Sequence, residues 1–195
     1  MLKLFLYDIH FTDFNLDEKV VIQAGGFKGD TALYYASRGA KVFSFEPDPF
    51  RFRQAIDNIG LNPKFSGNIV MKNFAVGNDG EIEFPLNKGG SGSSSAFSTK
   101  GRDTIKVKSV GIQTILNEFN IYDSYLLDLD IKGMEFDVLK NQDLSKFKIV
   151  RIEYSTFINN HKIGERADIL NKLKEQGFTK IRSFKHNELR YDLYE

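Results

Sequence analysis

Four groups of residues in this chain have the types and spacing to do chemistry. The first is VVIQAGGFKGDT at 20–31, where an apolar run meets Gly25, Gly26 and Gly29, then an acid. Glycines at such a turn let a ligand approach the backbone closely. The second is Glu46, which ends KVFSFE. An ionised carboxylate only accepts hydrogen bonds, so it suits two donors such as the hydroxyls of a ribose. The third is LLDLDIKGMEFD, which holds Asp128, Asp130 and Glu135. Asp128 and Asp130 are two apart, so on a strand they share a face, and at least one is expected in a crevice. The fourth is Glu153, followed by Tyr154 and Ser155 at the end of KIVRIEYS.

The glycine turn narrows the ligand. A P-loop needs Gly-Lys followed by Ser or Thr, and here Lys28 precedes Gly29. A dinucleotide site is closer. Ala24-x-Gly26-x-x-Gly29 matches its glycine pattern with Ala in the first place, and Glu46 could take the ribose hydroxyls. S-adenosyl-L-methionine offers the same ribose and adenine without the pyrophosphate. It needs close backbone approach for its methionine part, an acid for the ribose and an apolar slot for adenine.

The elements that would position these residues alternate. Strands are expected at 19–24, 41–46, 68–76, 125–131 and 148–155. Helices are expected in TALYYASR with Asp30 as cap and Gly39 as stop, in PFRFRQAIDNI with Asp48 as cap, in GIQTILNEFN and in ERADILNKLKEQG. FTKIRSF and LRYDLYE alternate at period two across KHNE, which predicts a closing antiparallel hairpin. Residues 80–112 break the rhythm: EIEFPL and TIKVKSV flank GGSGSSSAFSTKGRD, an insertion with a lid-like loop. The fold class is α/β, a three-layer Rossmann-like sheet of seven mainly parallel strands with an antiparallel last strand. Ligands of such sheets sit at the strands' carboxyl ends, which gathers 24–29, Glu46 and Asp130 around one crevice.

VIQAGGFKGDTALYYA, GAKVFSFEPDP with IDNIGLN behind it, NFAVGNDG, LLDLDIKGMEFDVLK and the IEYSTF strand end resemble, in order and spacing, the FkbM family of methyltransferases. The resemblance covers nearly the whole chain. It implies S-adenosyl-L-methionine as cofactor and methyl transfer to an oxygen, often a sugar or polyketide hydroxyl. With the residue reading it places the cofactor against Gln23, Ala24, Gly25, Gly26, Phe27, Gly29, Asp30 and Thr31 in the turn. Glu46, Pro47 and Asp48 follow the second strand, Asn73, Phe74 and Ala75 follow the third where relatives contact adenine, and Asp130 follows the fourth. Asp130, Glu135 and Glu153 are the candidates for a catalytic base. No metal is expected, the alternative being a divalent ion on Asp128 and Asp130.

The chain departs from the family at Gln23, where an acid is usual, and at Asp128 and Lys132, where Lys and then Glu are usual. The two exchanges reverse the charges, so an ion pair could survive in reverse. Tyr154 and Ser155 stand where the family often has His. His10, His161 and His186 show no ligand spacing.

Composition bounds the rest. The 195 residues suffice for one domain over 1–195, with residues 1–18 as an N-terminal strand or flap. There is no cysteine, which removes disulfides, thiolate metal sites and cysteine nucleophiles. The net charge of +1 gives no field that favours nucleic acid or a membrane surface, and no apolar run is long enough to span a bilayer. The expected partner is a small-molecule or carbohydrate acceptor, with a homodimer and a cytoplasmic location also expected. The alternatives are an RNA methyltransferase on the same fold, a nicotinamide-dependent oxidoreductase and a non-catalytic cofactor-binding relative.

Overall fold

The computed structural model describes residues 15–85, 103–158, 161–186 and 189–195. The apolar run forms β1 (Val20–Ala24) and the glycine turn leads into α1 (Asp30–Ser37). β2 (Lys41–Phe45), α2 (Pro49–Gly60), α3 (Pro63–Ser66) and β3 (Ile69–Lys72) follow. A small sheet comes next, from β4 (Ala75–Val76), β5 (Gly80–Pro85) and β6 (Thr104–Val110). Then come α4 (Ile112–Glu118), β7 (Ser124–Leu129), α5 (Glu135–Asn141) and β8 (Phe147–Tyr154). A short hairpin of β9 (Phe157–Ile158) and β10 (His161–Lys162) leads to α6 (Arg166–Glu175). β11 (Lys180–His186) and β12 (Leu189–Tyr194) close the chain.

Seven strands form the main sheet in the order β11-β12-β8-β7-β1-β2-β3. β12 runs antiparallel to both of its neighbours, and the other pairings are parallel. The chain winds outward from β1 to β3 and returns to β7 on the other side of β1. That reversal is the switch point where the fold opens a crevice.

Alternating residues of each strand serve two apolar layers. Ile22, Ala24, Phe43, Phe45, Leu127, Leu129, Val150 and Ile152 pack with Ile112, Ile115, Val138, Ile169 and Leu173 of α4, α5 and α6. Val21, Val42, Leu126 and Ile149 pack with Ala32, Tyr35 and Ala36 of α1. Leu33 of α1 meets Ala55 and Ile59 of α2 over Met71 of β3. This is the expected three-layer arrangement, and among the described residues no helix is long and apolar enough to cross a membrane.

Two local expectations are corrected. The strand expected over 68–76 ends at Lys72, because Asn73 turns its Nδ2 to the carbonyls of Glu46 and Pro47, at 2.8 and 3.0 Å. The chain then leaves the main sheet, and Ala75–Val76 pairs with β6. The cap of α1 is Gly29 (φ 80°) rather than Asp30, which is the first helical residue and faces the helix dipole favourably. Asp48 does cap α2, accepting from the N–H groups of Phe50 and Arg51, with Pro49 at the first turn. β5 and β6 confirm the two strands of the insertion, but its glycine- and serine-rich loop and the N-terminal segment 1–14 with His10 lie outside the described residues.

Polar side chains from distant segments cap α4, which has no cap of its own. Asp79 accepts from Gly111 N–H (2.8 Å) and Thr114 Oγ1 (2.7 Å), and Gln142 Oε1 accepts from Ile112 N–H (2.9 Å). These bonds fasten the small sheet and α5 to one helix end. Asp79→Ala is expected to lower unfolding stability by about 1–2 kcal/mol in urea denaturation. Cofactor affinity should be unchanged.

Candidate functional site

The turn after β1 and the loop after β7 meet backbone to backbone. Gly25 has φ 92°, and a Cβ on it would lie 1.9 Å from the Asp130 carbonyl oxygen. A Cβ on Gly26 would lie 2.5 Å from Ser44 Oγ and 2.6 Å from Met71 Cε. The N–H groups of both glycines donate to the Phe45 carbonyl at 2.9 Å, and Asp130 N–H donates to Ala24 O at 3.0 Å. Only bare backbone fits at this junction, so the ends of β2, β1 and β7 are held as one surface.

Glu46 lies just beyond β2 and is 7% exposed. Its Oε2 accepts from Phe27 N–H at 2.8 Å and its Oε1 from Asp48 N–H at 2.9 Å. Each oxygen thus has one fixed partner and keeps accepting capacity for a further donor. Burial pushes its pKa up to about 7, opposed by the two N–H bonds. Phe27 is more than a third exposed, and the Arg51 guanidinium lies 4.9 Å from its ring centre. Phe74 stacks on Phe45 with Lys108 Nζ 4.3 Å from its ring centre, which makes an apolar wall beside Asn73 and the buried Ala75. Thr31, Pro47 and Asp48 sit at the starts of α1 and α2, around the same rim.

Gln23 and Ala24 end β1 on opposite faces. Gln23 is buried on the α1 side, where its Oε1 accepts from Ser44 Oγ at 2.7 Å, and Ala24 is buried in the other layer. Asp128 and Asp130 do not continue one strand, because β7 ends at Leu129. Asp128 is fully buried, accepting from Tyr35 Oη at 2.8 Å and from Arg151 Nη1 at 2.5 Å. Asp130 and Glu153 stand near each other at the ends of β7 and β8, where the charge of each acts on the other. Burial, and then the Glu153 charge, push Asp130 well above the usual carboxylate range. Burial also raises Glu153, against the opposing pull of Arg151.

Glu135, the third base candidate, starts α5 and turns both oxygens onto its own loop. Oε1 accepts from Ile131 N–H at 2.9 Å and Oε2 from Gly133 N–H at 2.5 Å, while burial raises its pKa to about 7. The Lys132 charge lies near Asp130 and Glu153. His161 is exposed on β10. Among the described residues no three acidic or histidine side chains group as a metal site. Arg151 and Tyr35 are the site-bordering residues that sequence reasoning missed. An arginine inside the apolar strand FKIVRIEY was the available signal, since a strand covered on both faces must give it a buried partner.

Residues 23–180 match the Methyltransferase FkbM domain. The chain belongs to the FkbM methyltransferase family. No curated protein matches it in sequence. Solved structures share its fold. The ribosomal protein L11 methylase of Lactobacillus delbrueckii subsp. bulgaricus superposes over 100% of this chain and 77% of its own, with a TM-score of 0.59 and 13% identity. Magnesium protoporphyrin IX methyltransferase of Synechocystis PCC 6803, with bound SAM, covers 96% and 76% with a TM-score of 0.57 and 13% identity. M. capricolum TrmK, with S-adenosyl-homocysteine, covers 97% and 66% with a TM-score of 0.59 and 11% identity.

As an FkbM member the chain is an S-adenosylmethionine-dependent methyltransferase. Its own residues fit that cofactor. The turn at Gly25 and Gly26 must stay bare backbone, since a Cβ there would strike Asp130 O or Met71, and Glu46, with one N–H on each oxygen, keeps accepting capacity for two hydroxyls. The expected Glu46 carboxylate has to be ionised to accept both. Its pKa in the free protein is about 7, so below that pH a proton must leave on binding. S-adenosylhomocysteine affinity, measured by calorimetry, should therefore weaken as pH falls from 8 to 6, approaching about tenfold per pH unit below 7. Glu46→Ala should weaken binding at pH 8 by at least about tenfold. Affinity flat with pH and indifferent to Glu46→Ala would remove Glu46 from the site.

Proposed function

We propose that the chain methylates a hydroxyl oxygen of a small molecule or carbohydrate, with the Asp130–Glu153 pair receiving the hydroxyl proton. One observation carries this: two neighbouring buried carboxyls, each acting on the other's charge, stand at the ends of β7 and β8, beside the junction that Gly25 and Glu46 border. S-adenosylmethionine, when bound, supplies a methyl group on a cationic sulfur, which is already a good electrophile. The protein adds alignment of the acceptor and removal of its proton. The acceptor oxygen bonds to the methyl carbon as the carbon–sulfur bond breaks. The electron pair stays on sulfur and the hydroxyl proton passes to the carboxyl pair.

Raised proton affinity suits the pair to this task near neutral pH, where an ordinary carboxylate would be a weak base. Glu135 serves differently: its two backbone bonds hold the 131–133 loop in shape. A crevice rich in carboxyls, on a chain of net charge +1, favours an uncharged acceptor over a phosphate-bearing one.

The test uses S-adenosylmethionine tritiated in its methyl group, offered with neutral sugars, small alcohols and bulk tRNA. Label should enter a hydroxyl acceptor as a base-stable ether. Glu153→Gln should lower kcat about 100-fold or more, while S-adenosylhomocysteine binds as before. Label in RNA alone, or a full rate in Glu153→Gln, would overturn the proposal.

A further inference from the structure

A row of polar side chains crosses the sheet beneath the crevice. Ser44, Gln23, Asp128 and Arg151 stand in register on β2, β1, β7 and β8. They occupy the α1 face, one step toward the carboxyl ends from Val42, Val21, Leu126 and Ile149. Asp128 and Arg151 have no exposure at all. Besides Asp128, the Arg151 guanidinium reaches Glu153 Oε2 through Nη2 at 3.5 Å. Arg151 and Glu153 are two apart on one strand and so share its face.

Taking two charges out of water is expensive, and apolar replacements of such pairs are often as stable or more so. Stability alone is therefore a poor reason for an ion pair here. Its position gives a better one: the guanidinium is the charged bridge between a fully enclosed anion and the carboxyl pair at the crevice. We propose that Arg151 is a positioning residue, anchored by Asp128 and Tyr35, which keeps Glu153 ionised and aimed so that Glu153 rather than Asp130 takes the acceptor proton. This rests on the carboxyl pair being the base.

The electrostatics have a defined sign. The described charged groups facing Glu153 are Arg151 on its own strand, Asp128 on β7, and Asp130 and Lys132 in the loop after β7. On the other side Tyr191 of β12 pairs with it in register. Arg151 and Lys132 favour the ionised carboxylate, and Asp128 opposes it. Asp128 thus has two effects: it holds the guanidinium in place and partly cancels its charge at Glu153. Burial disfavours the Arg151 cation, yet Asp128 and the other surrounding acids keep it charged.

These opposing signs separate the proposal from a merely structural role, and the measurement needs no acceptor. Protein labelled with ¹³C at glutamate carboxyls is titrated by NMR, with the Glu153 signal assigned by its loss in Glu153→Gln. Arg151→Met should raise the Glu153 midpoint by about one pH unit or more, and Asp128→Asn should lower it. Arg151→Lys should keep it within about half a unit of the parent. If Arg151→Met does not fold, the direction in the near-isosteric Asp128→Asn decides. Unmoved midpoints, or shifts of the same sign in both variants, would overturn the proposal. A clean pair of opposite shifts in a protein that methylates no hydroxyl would instead uphold the charge coupling and sink the proposed reaction.

Discussion

The site depends on a contact with no room in it. Gly25 presses against the Asp130 carbonyl so closely that a methyl group there would overlap the oxygen. The contact lies between β1 and β7, at the point where the chain reverses its winding across the sheet. Because the two backbones touch, the loops after β1, β2 and β7 are joined by direct contacts and hydrogen bonds. Phe27 N–H reaches Glu46 from one side of the junction, and Asp130 reaches Glu153 from the other. Glu46 and the Asp130–Glu153 carboxyls therefore stand along one edge of the sheet.

Four acids crowd that edge, and the fold treats them in two ways. Glu46 and Glu135 are each held by two backbone N–H groups, which favour the charged form against burial. Among the described residues, Asp130 and Glu153 lack two such donors and face each other instead, and burial raises both. Backbone N–H groups are fixed dipoles and give fixed acceptors.

The charge exchanges relative to the family find a spatial explanation. Asp128 gets its cation from Arg151 on the neighbouring strand, 2.5 Å away, while Lys132 lies in the loop beyond, near Asp130 and Glu153. Gln23, in place of an acid, bonds neutrally to Ser44 and adds no further charge to the row. Asp128 thus has a cross-strand partner in Arg151. Strand register decides that partner: Asp128 stands directly opposite Arg151.

Local chemistry was legible from the sequence. The glycines at 25, 26 and 29 after a β-branched run, the Asp48-Pro49 helix start, Glu46 at the end of its strand and the alternation of strands with helices are short-range features, and each took its expected place. The order and spacing of motifs also carried the family. What tertiary structure decided is who stands next to whom across strands. Asn73 breaks the third strand because two carbonyls from the end of β2 lie within reach. Asp128 turns inward to Tyr35 and Arg151, while Asp130, two residues on and past the strand end, joins Glu153. Side-chain period fixes a face, but only register and burial supply the partner. Charge, desolvation and hydrogen bonding act between those partners, at sequence separations no local pattern records.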